Sequence, residues 1–359
     1  MQKRLQAEHA VVCDFPDEVT FGYFAWPTVI RLSERDLMIG ASGFRTRHID
    51  PFGRTALFES HNAGRSWEPP AVINDSPIDD RDVGLLKLCD GRILMTWFRE
   101  DTRKEFDPVK HPERSLTRLL DIRPVLSSWE DDIVRRYEGS WLRIRNTDGV
   151  WSKEIAIGVT APHGPIQLAD GTIFYVGRRM PRGGGELPRA HDVAALVSRD
   201  GESWEERSEL PDPPDAETGR YFCEPHALEL SDGRLIVHLR CEKEFATWQC
   251  VSADGGYTWS TPEFLCFGAP SHLLRHSSGV IVATYGYRKP GFGQRVLLSY
   301  DDGKSYESWI LRDDGFDPDL GYPSTVELAD GSLYSVYYQR ARAGAQNCAL
   351  LSSRWELPR

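Results

Sequence analysis

Six times along the chain an apolar stretch runs into a polar turn and out into a second apolar stretch, with the two-residue alternation of half-buried strands. The pattern is plainest in Pro225-His-Ala-Leu-Glu-Leu-Ser-Asp-Gly-Arg-Leu-Ile-Val237. It recurs over Pro27–Ile39, Gly84–Trp97, Pro165–Val176, Pro270–Val282 and Pro323–Val336. The turn is usually Asp-Gly, whose glycine takes the positive φ that suits strand twist, so each copy predicts a β-hairpin. The turns fall near residues 35, 91, 171, 233, 279 and 331, and four strands fit each interval. Six four-stranded repeats predict an all-β fold, a six-bladed β-propeller closed so that only short edges stay exposed. The run Ala349–Leu357 is expected to close the ring against a strand near Ala10-Val-Val-Cys13, making residues 1–359 one domain. The longest interval, between the turns near 91 and 171, holds a charged insertion of about 100–137 in the second blade. It is expected to be partly helical around Trp129–Arg136 and to lie on the side where the candidate site residues gather.

A second motif follows the hairpins: Ser60-His-Asn-Ala-Gly-Arg-Ser-Trp67, Ser198-Arg-Asp-Gly-Glu-Ser-Trp204, Ser252-Ala-Asp-Gly-Gly-Tyr-Thr-Trp259 and Ser299-Tyr-Asp-Asp-Gly-Lys-Ser-Tyr306, with a decayed copy at Asn146–Trp151. It resembles the Asp-box, Ser-x-Asp-x-Gly-x-Thr-Trp, of the sialidase (neuraminidase) superfamily. A carboxylate there can tie down turn amides while the glycine takes special backbone angles and the aromatic packs between blades, so the motif is read as structural.

In a propeller the first strand of every blade lines the central channel, and residues from distant repeats meet at one mouth. The residue before or near each repeat's proline gives Trp26, Asp82, Gly164, Glu224, Ala269 and Tyr322 around that mouth. The end of each second strand gives Arg45, Arg99, Arg178, Arg240, Arg288 and Arg340. A lone strand-end arginine is ordinarily a solvated charge. Arginine in one register of all six repeats points to an anion or sugar pocket, because its planar fork suits bidentate carboxylate recognition.

At these residues the resemblance to sialidases becomes specific. Cys223-Glu-Pro-His through His-Leu-Arg240 is similar to the family segment that carries its catalytic Glu and a carboxylate-binding Arg, which implies those roles for Glu224 and Arg240. Gly321-Tyr-Pro-Ser-Thr325 resembles the family's Gly-Tyr-Ser segment and implies that Tyr322 is the nucleophile. Ala41-Ser-Gly-Phe-Arg45 followed by Asp50 looks like the first-blade Arg and the acid/base Asp, and Asp82 falls where the family has a further pocket Asp. His163-Gly-Pro-Ile-Gln-Leu168 is similar to a third-blade segment. In the first blade Ala25-Trp-Pro27 stands where the family has Arg-Ile-Pro, which removes one clamp arginine and offers Trp26 as a surface for a sugar face. The remaining clamp arginine is either Arg288 or Arg295, and sialosides are expected to be poor substrates.

The chemistry is coherent without the resemblance. A tyrosine hydroxyl, with an ordinary pKa of about 10, needs a base such as Glu224 to take its proton as a glycosidic bond breaks. Asp50 then protonates the leaving oxygen and later activates water, with His48 as the rival acid, in a retaining mechanism. The plainer readings are a wedge beside Pro323 for Tyr322 and a turn former before Pro51 for Asp50.

With 43 Lys and Arg against 54 Asp and Glu, the formal charge of -11 repels a phosphate backbone, so nucleic acid is not an expected partner. The 7 cysteines contain no C-x-x-C pair and read as reduced thiols. No apolar run of signal-peptide length follows the basic N-terminus and none approaches the ~18 residues of a membrane span, so a cytoplasmic location without membrane contact is the expectation. His163, His226 and His272 lie near the channel, but their offsets from the repeat proline differ, so convergence on a metal is not expected and no cofactor is called for. Gly183-Gly-Gly185 lacks the strand-to-helix context of a phosphate loop and reads as a flexible loop. The expectation is a sialidase-like retaining exo-glycoside hydrolase acting on a terminal, acidic sugar of a small glycan or glycoside. A glycosidase for a non-sialic sugar and a non-catalytic sugar-binding propeller are the alternatives.

Overall fold

Antiparallel pairing of successive strands builds six sheets in chain order, and the result is a six-bladed β-propeller, seen in a computed structural model that describes residues 3–106, 122–180, 192–216 and 219–358. The innermost strands are Tyr23–Arg31, Asp79–Lys87, Ile166–Gln167, Phe222–Glu229, Ser271–Arg275 and Gly321–Glu327, and they define blades one to six. The expected hairpin turns are present. In the second blade Gly91, at φ +90°, donates to Leu88 O and Leu88 N donates to Arg92 O, which leaves the glycine at the left-handed position of a bulged turn. The same pair of bonds recurs at Leu168, Leu230, His276 and Leu328.

The ring closes as the sequence pattern implies. Ala7–Cys13 pairs antiparallel with Ala349–Trp355 as the outer strand of blade six, in the register Ala10 to Ser352. Lys3–Arg4 adds a parallel pairing to Glu307–Arg312 of blade five, so the N-terminal segment ties two blades. The apolar clusters lie mostly between blades. One joins Ile30, Met38 and Leu57 of blade one to Val83, Leu85 and Trp97 of blade two, and another joins blade one to Tyr334, Val336 and Tyr338 of blade six. A blade cannot bury both faces alone, which makes its neighbours a condition of its stability. Blades two and three approach so closely that a Cβ on Gly84 would lie 2.5 Å from Gly164 Cα.

The Ser-to-Trp motifs connect third and fourth strands and work as local clamps. Asp254 accepts from Tyr257 N at 3.0 Å and Thr258 N at 2.9 Å, and the Thr258 hydrogen bonds pull its pKa down to about 2. Trp259 crosses to the preceding blade, donating to Ser208 Oγ at 3.0 Å. In the insertion, Arg123–Ser127 and Asp131–Tyr137 are helical, while residues 107–121 lie outside the described residues, as do the three glycines 183–185. Phe106, Ile122, Leu126, Trp129 and Val134 bury against Ile78, docking the described part of the insertion on the propeller. Among the described residues no helix is long and apolar enough to cross a membrane.

The central channel corrects one expectation. His163, His226 and His272 do converge, with ring centroids 4.5 to 5.7 Å apart. His226 and His272 stack and accept backbone hydrogens from Leu273 and Thr325 through Nδ1. Among the described residues no group of His, Cys, Asp or Glu is arranged to hold a metal ion. Burial first, and neighbouring imidazoles second, push all three well below the usual histidine value. Below about pH 6.5 the unfolded chain therefore takes up protons that the folded channel refuses, so the stability of neutral imidazoles is full above that pH and is lost as pH falls. His272→Gln is expected to flatten the dependence of unfolding free energy on pH between about 6.5 and 5 by up to ~1.4 kcal/mol per pH unit. Urea titrations of parent and variant across that range measure it, and parallel slopes would remove the channel from the acid response.

Candidate functional site

The inner strands do not run straight to the mouth. Trp26, Asp82, Glu224 and Tyr322 sit at φ +54°, +38°, +47° and +52°, and Gly164 at +78°. Strand registers break at the same places, between Ala25 and Thr28, Arg81 and Gly84, Cys223 and His226, and Gly321 and Ser324. Each break is a bulge that re-aims one side chain away from the alternation of its strand. Five of the six positions expected at the mouth thus share a positive φ, four of them at a bulge, and Ala269 differs, with a cis bond to Pro270.

The bulges bring Tyr322 and Glu224 together across the ring. Tyr322 Oη donates to Glu224 Oε1 at 2.6 Å, and Arg240 Nη1 donates to Glu224 Oε2 at 2.6 Å and to Tyr322 Oη at 3.1 Å. Burial and then the Glu224 charge hold the Tyr322 hydroxyl well above its ordinary value, while Arg240 and Arg288 oppose them. The resting phenol is therefore neutral, with its acceptor already in place. A cleft of about 510 Å³ opens over this array, and Asp82, Arg178, Arg288 and His48 share its wall with Glu100, Asp101, Lys104 and Glu105 of the insertion and with Glu138 just after it.

Asp82 is poised in that wall. Its carboxyl is pushed up to about 7 by burial, with Arg81 opposing and Glu224 adding to the shift. Its Oδ1 is buried with no hydrogen-bond partner among the described residues. Arg288 faces the cleft, donating through Nε to Leu320 O at 2.9 Å and through Nη2 to Tyr338 Oη at 3.0 Å. Arg295 does not: its guanidinium is spent on the carbonyls of Gln294, Arg312 and Gly291 in blade five, so of the two it is Arg288 that lines the cleft.

Three further expectations need correction. Asp50 is fully buried outside the cleft, where its carboxylate accepts from Thr46 N and Oγ1 and from Phe52 N, the closed geometry of a turn former. Arg45 is 0% exposed, paired with Asp79 at 2.6 and 2.8 Å and with the carbonyls of Arg47 and His48, so no donor is left for a ligand. Trp26 is also sealed, with the guanidinium of Arg45 4.9 Å from its ring and that of Arg81 4.8 Å away. It supports Tyr322, Tyr338 and His48 by edge contacts rather than offering a face to a sugar.

The six strand-end arginines accordingly divide. Arg178, Arg240 and Arg288 of blades three to five line the cleft. Arg45, Arg99 and Arg340 of blades one, two and six are held by Asp79, by Asp80 with Glu154, and by Asp317. Arg81 precedes the Asp82 bulge and also lines the cleft. Sequence reading passed over two functional candidates. Glu242 stands two residues beyond Arg240 on the same face and ion-pairs its Nη2 at 2.5 Å. Asp319 holds His48 from a loop that carries no recurring pattern, with Oδ1 2.8 Å from His48 Nδ1.

Residues 141–335 match the family described as the BNR repeat-like domain. No curated protein sequence matches the chain. Among solved structures, a protein of unknown function from Dyadobacter fermentans aligns at 20% identity over 98% of both chains, with a TM-score of 0.76. The intramolecular trans-sialidase of Ruminococcus gnavus, in complex with oseltamivir carboxylate, aligns at 14% identity over 95% of this chain and 96% of its own, with a TM-score of 0.63. The alpha-L-arabinanase of Penicillium chrysogenum, complexed with arabinobiose, aligns at 11% identity over 98% of each chain, with a TM-score of 0.62. These likenesses establish a sialidase-like fold shared by glycoside hydrolases.

The burial of Arg45 and Asp79 yields a test that a ligand-binding arginine would fail. Arg45→Met strands a buried carboxylate and is expected to lower stability by about 3–5 kcal/mol. Chemical denaturation of the variant checks this, and parental stability would mean that the pair does not hold blades one and two together.

Proposed function

The chain belongs to the BNR repeat-like domain family, and on that footing we propose that it is a retaining exo-glycoside hydrolase whose nucleophile is Tyr322 and whose base is Glu224. The observation that carries the reading is the array in which Tyr322 Oη, Glu224 and Arg240 are mutually hydrogen-bonded at the base of an open cleft. As the oxygen of Tyr322 bonds to the anomeric carbon, its proton passes to Glu224, so the phenolate never stands free in a buried site. Arg240 steadies Glu224 while it is charged and lies within reach of the reacting oxygen. Asp82, with a carboxyl near neutrality and an unpartnered buried oxygen, is suited to hold a sugar hydroxyl.

Arg240 also favours a specific view of the sugar. Its two arms are occupied by Glu224 and Glu242, which leaves it little capacity to clamp a substrate carboxylate. Arg178 and Arg288 remain in the cleft wall, but Asp82, Glu224 and Glu242 stand beside them. A terminal non-sialic sugar is the second reading that this pairing supports, and sialosides are expected to be the poorer substrates.

Two outcomes follow. Tyr322→Phe keeps the ring and deletes the attacking oxygen, so kcat on the best glycoside of a chromogenic panel should fall by at least about a thousandfold with thermal melting unchanged. Turnover like the parent's would sink the tyrosine mechanism, and saturable sugar binding without any parental turnover would favour a binding propeller. Glu242→Gln frees one arm of Arg240 and should raise kcat/KM for sialosides relative to neutral glycosides by about 10-fold or more, the value of one charge-assisted contact. An unchanged ratio would mean that Glu242 does not gate carboxylate binding.

A further inference from the structure

We propose that His48, held by Asp319, is the general acid and base of this hydrolysis, an inference that rests on the glycosidase reading above. With Asp50 closed into its turn, the cleft needs another group to protonate the leaving oxygen. His48 lines the cleft, and its Nδ1 lies 2.8 Å from Asp319 Oδ1. Tyr23 Oη donates to the same carboxylate at 2.9 and 3.1 Å, and Arg340 stands 3.9 Å from its other oxygen. These contacts fix Asp319 as an ionised acceptor and assign the Nδ1 proton to the hydrogen bond between the two residues. Among the described residues no hydrogen bond uses His48 Nε2, so that nitrogen is the one free to meet a ligand. The ring is held by edge contact with Trp26 at 5.0 Å and by Tyr338 at 6.5 Å.

A second pocket of about 340 Å³ lies behind the dyad, lined by Tyr23, Arg47, Asp319 and Arg340 among others. Among the described residues only His48 lines both it and the cleft, so the dyad meets solvent on the side away from a bound sugar. Asp82 has no such arrangement. It is buried beside Tyr322 and Glu224, and among the described residues no side chain hydrogen-bonds its Oδ1.

The proton count closes. In the first step His48 Nε2–H protonates the glycosidic oxygen as the bond to the anomeric carbon breaks, Tyr322 Oη bonds to that carbon, and Glu224 takes the phenol proton. In the second, water gives a proton to Nε2 while its oxygen displaces Tyr322, which recovers its proton from Glu224. The net change is addition of water across one glycosidic bond, with His48 and Glu224 restored.

The charged groups facing His48 set the pH response. Burial lowers its pKa, Asp319 raises it, and Arg81 and Arg288 lower it. Removing the carboxylate therefore moves the alkaline limb of kcat/KM to lower pH.

The test compares methyl and 2,4-dinitrophenyl glycosides of the best panel sugar. His48→Asn should lose about 10²-fold or more on the methyl glycoside, whose leaving group needs a proton, and stay within about tenfold for glycosylation by the dinitrophenyl glycoside. Added azide should restore turnover of the latter by replacing activated water, with glycosyl azide as product. Asp319→Asn should shift the alkaline limb toward acid, which a merely structural role would not do. Equal loss on both aglycones, an unmoved limb, or aglycone dependence in Asp82→Asn instead would overturn the assignment. A parent that cleaves neither glycoside would defeat the hydrolase reading itself, and the dyad with it.

Discussion

The arrangement at the mouth depends on backbone that its residues would not choose. Four non-glycine residues on four inner strands are held at φ between +38° and +54°, a region that side chains rarely adopt. Each such residue costs on the order of 1–3 kcal/mol, so together they approach the roughly 5–15 kcal/mol of net stability that a folded domain has. They persist because the surrounding structure over-determines them. Each bulged strand is paired within its blade on both sides of its bulge and packs against neighbouring blades, so relaxing one bulge would disrupt contacts around it. The return on that strain is convergence: Tyr322 and Glu224, 98 residues apart, meet at 2.6 Å.

The same period-two geometry explains how buried charge is distributed. Asp79 and Asp80 are adjacent on one strand and therefore point to opposite faces. Asp79 receives Arg45 from blade one, and Asp80 receives Arg99 and the Trp97 indole from its own blade. Two consecutive carboxylates thus fasten two arginines that share a register with Arg240 yet never reach the cleft. A recurring arginine at a strand end is a position, and the acid opposite it decides whether that position is a strut or a ligand. Arg340 is a third case, retained by Asp317 in the loop before blade six.

Much of the architecture was legible because it repeats. The Asp-Gly turns, the closing strand at Ala7–Cys13 and the mouth-facing register that contains Asp82, Glu224 and Tyr322 all follow from a pattern that local physics imposes on every blade. What escaped the sequence is what occurs once. The burial of Trp26 between two guanidinium groups depends on Arg45 and Arg81 arriving from different strands. The closing of Asp50 into its turn competes locally with any reach toward a ligand, and spacing alone cannot weigh the two. Asp319 touches His48 across 271 positions, a partnership that neither residue advertises. The convergence of the channel histidines was hidden for a related reason, since the strand of His226 carries a bulge and that of His272 does not, so unequal offsets still lead to one place.

The crowding of acids in the cleft bears on why a phenol suits the proposed chemistry. Asp82, Glu224 and Glu242 already share the wall with Arg178, Arg240 and Arg288, and Asp82 is pushed up to about 7 by burial first, with Glu224 adding to the shift. A further carboxylate as nucleophile would have to ionise in the same field and would itself resist ionisation. Tyr322 avoids that cost because it is neutral until the bond forms, and its proton crosses a 2.6 Å hydrogen bond to an acceptor that Arg240 already stabilises. The negative charge is then on the reacting oxygen only as it is being shared with the anomeric carbon, so the total charge at the mouth stays constant through the step. In that balance Arg240 is more useful bound to Glu224 than released to a substrate, and the same pairing that makes a tyrosine workable draws the site away from an anionic sugar.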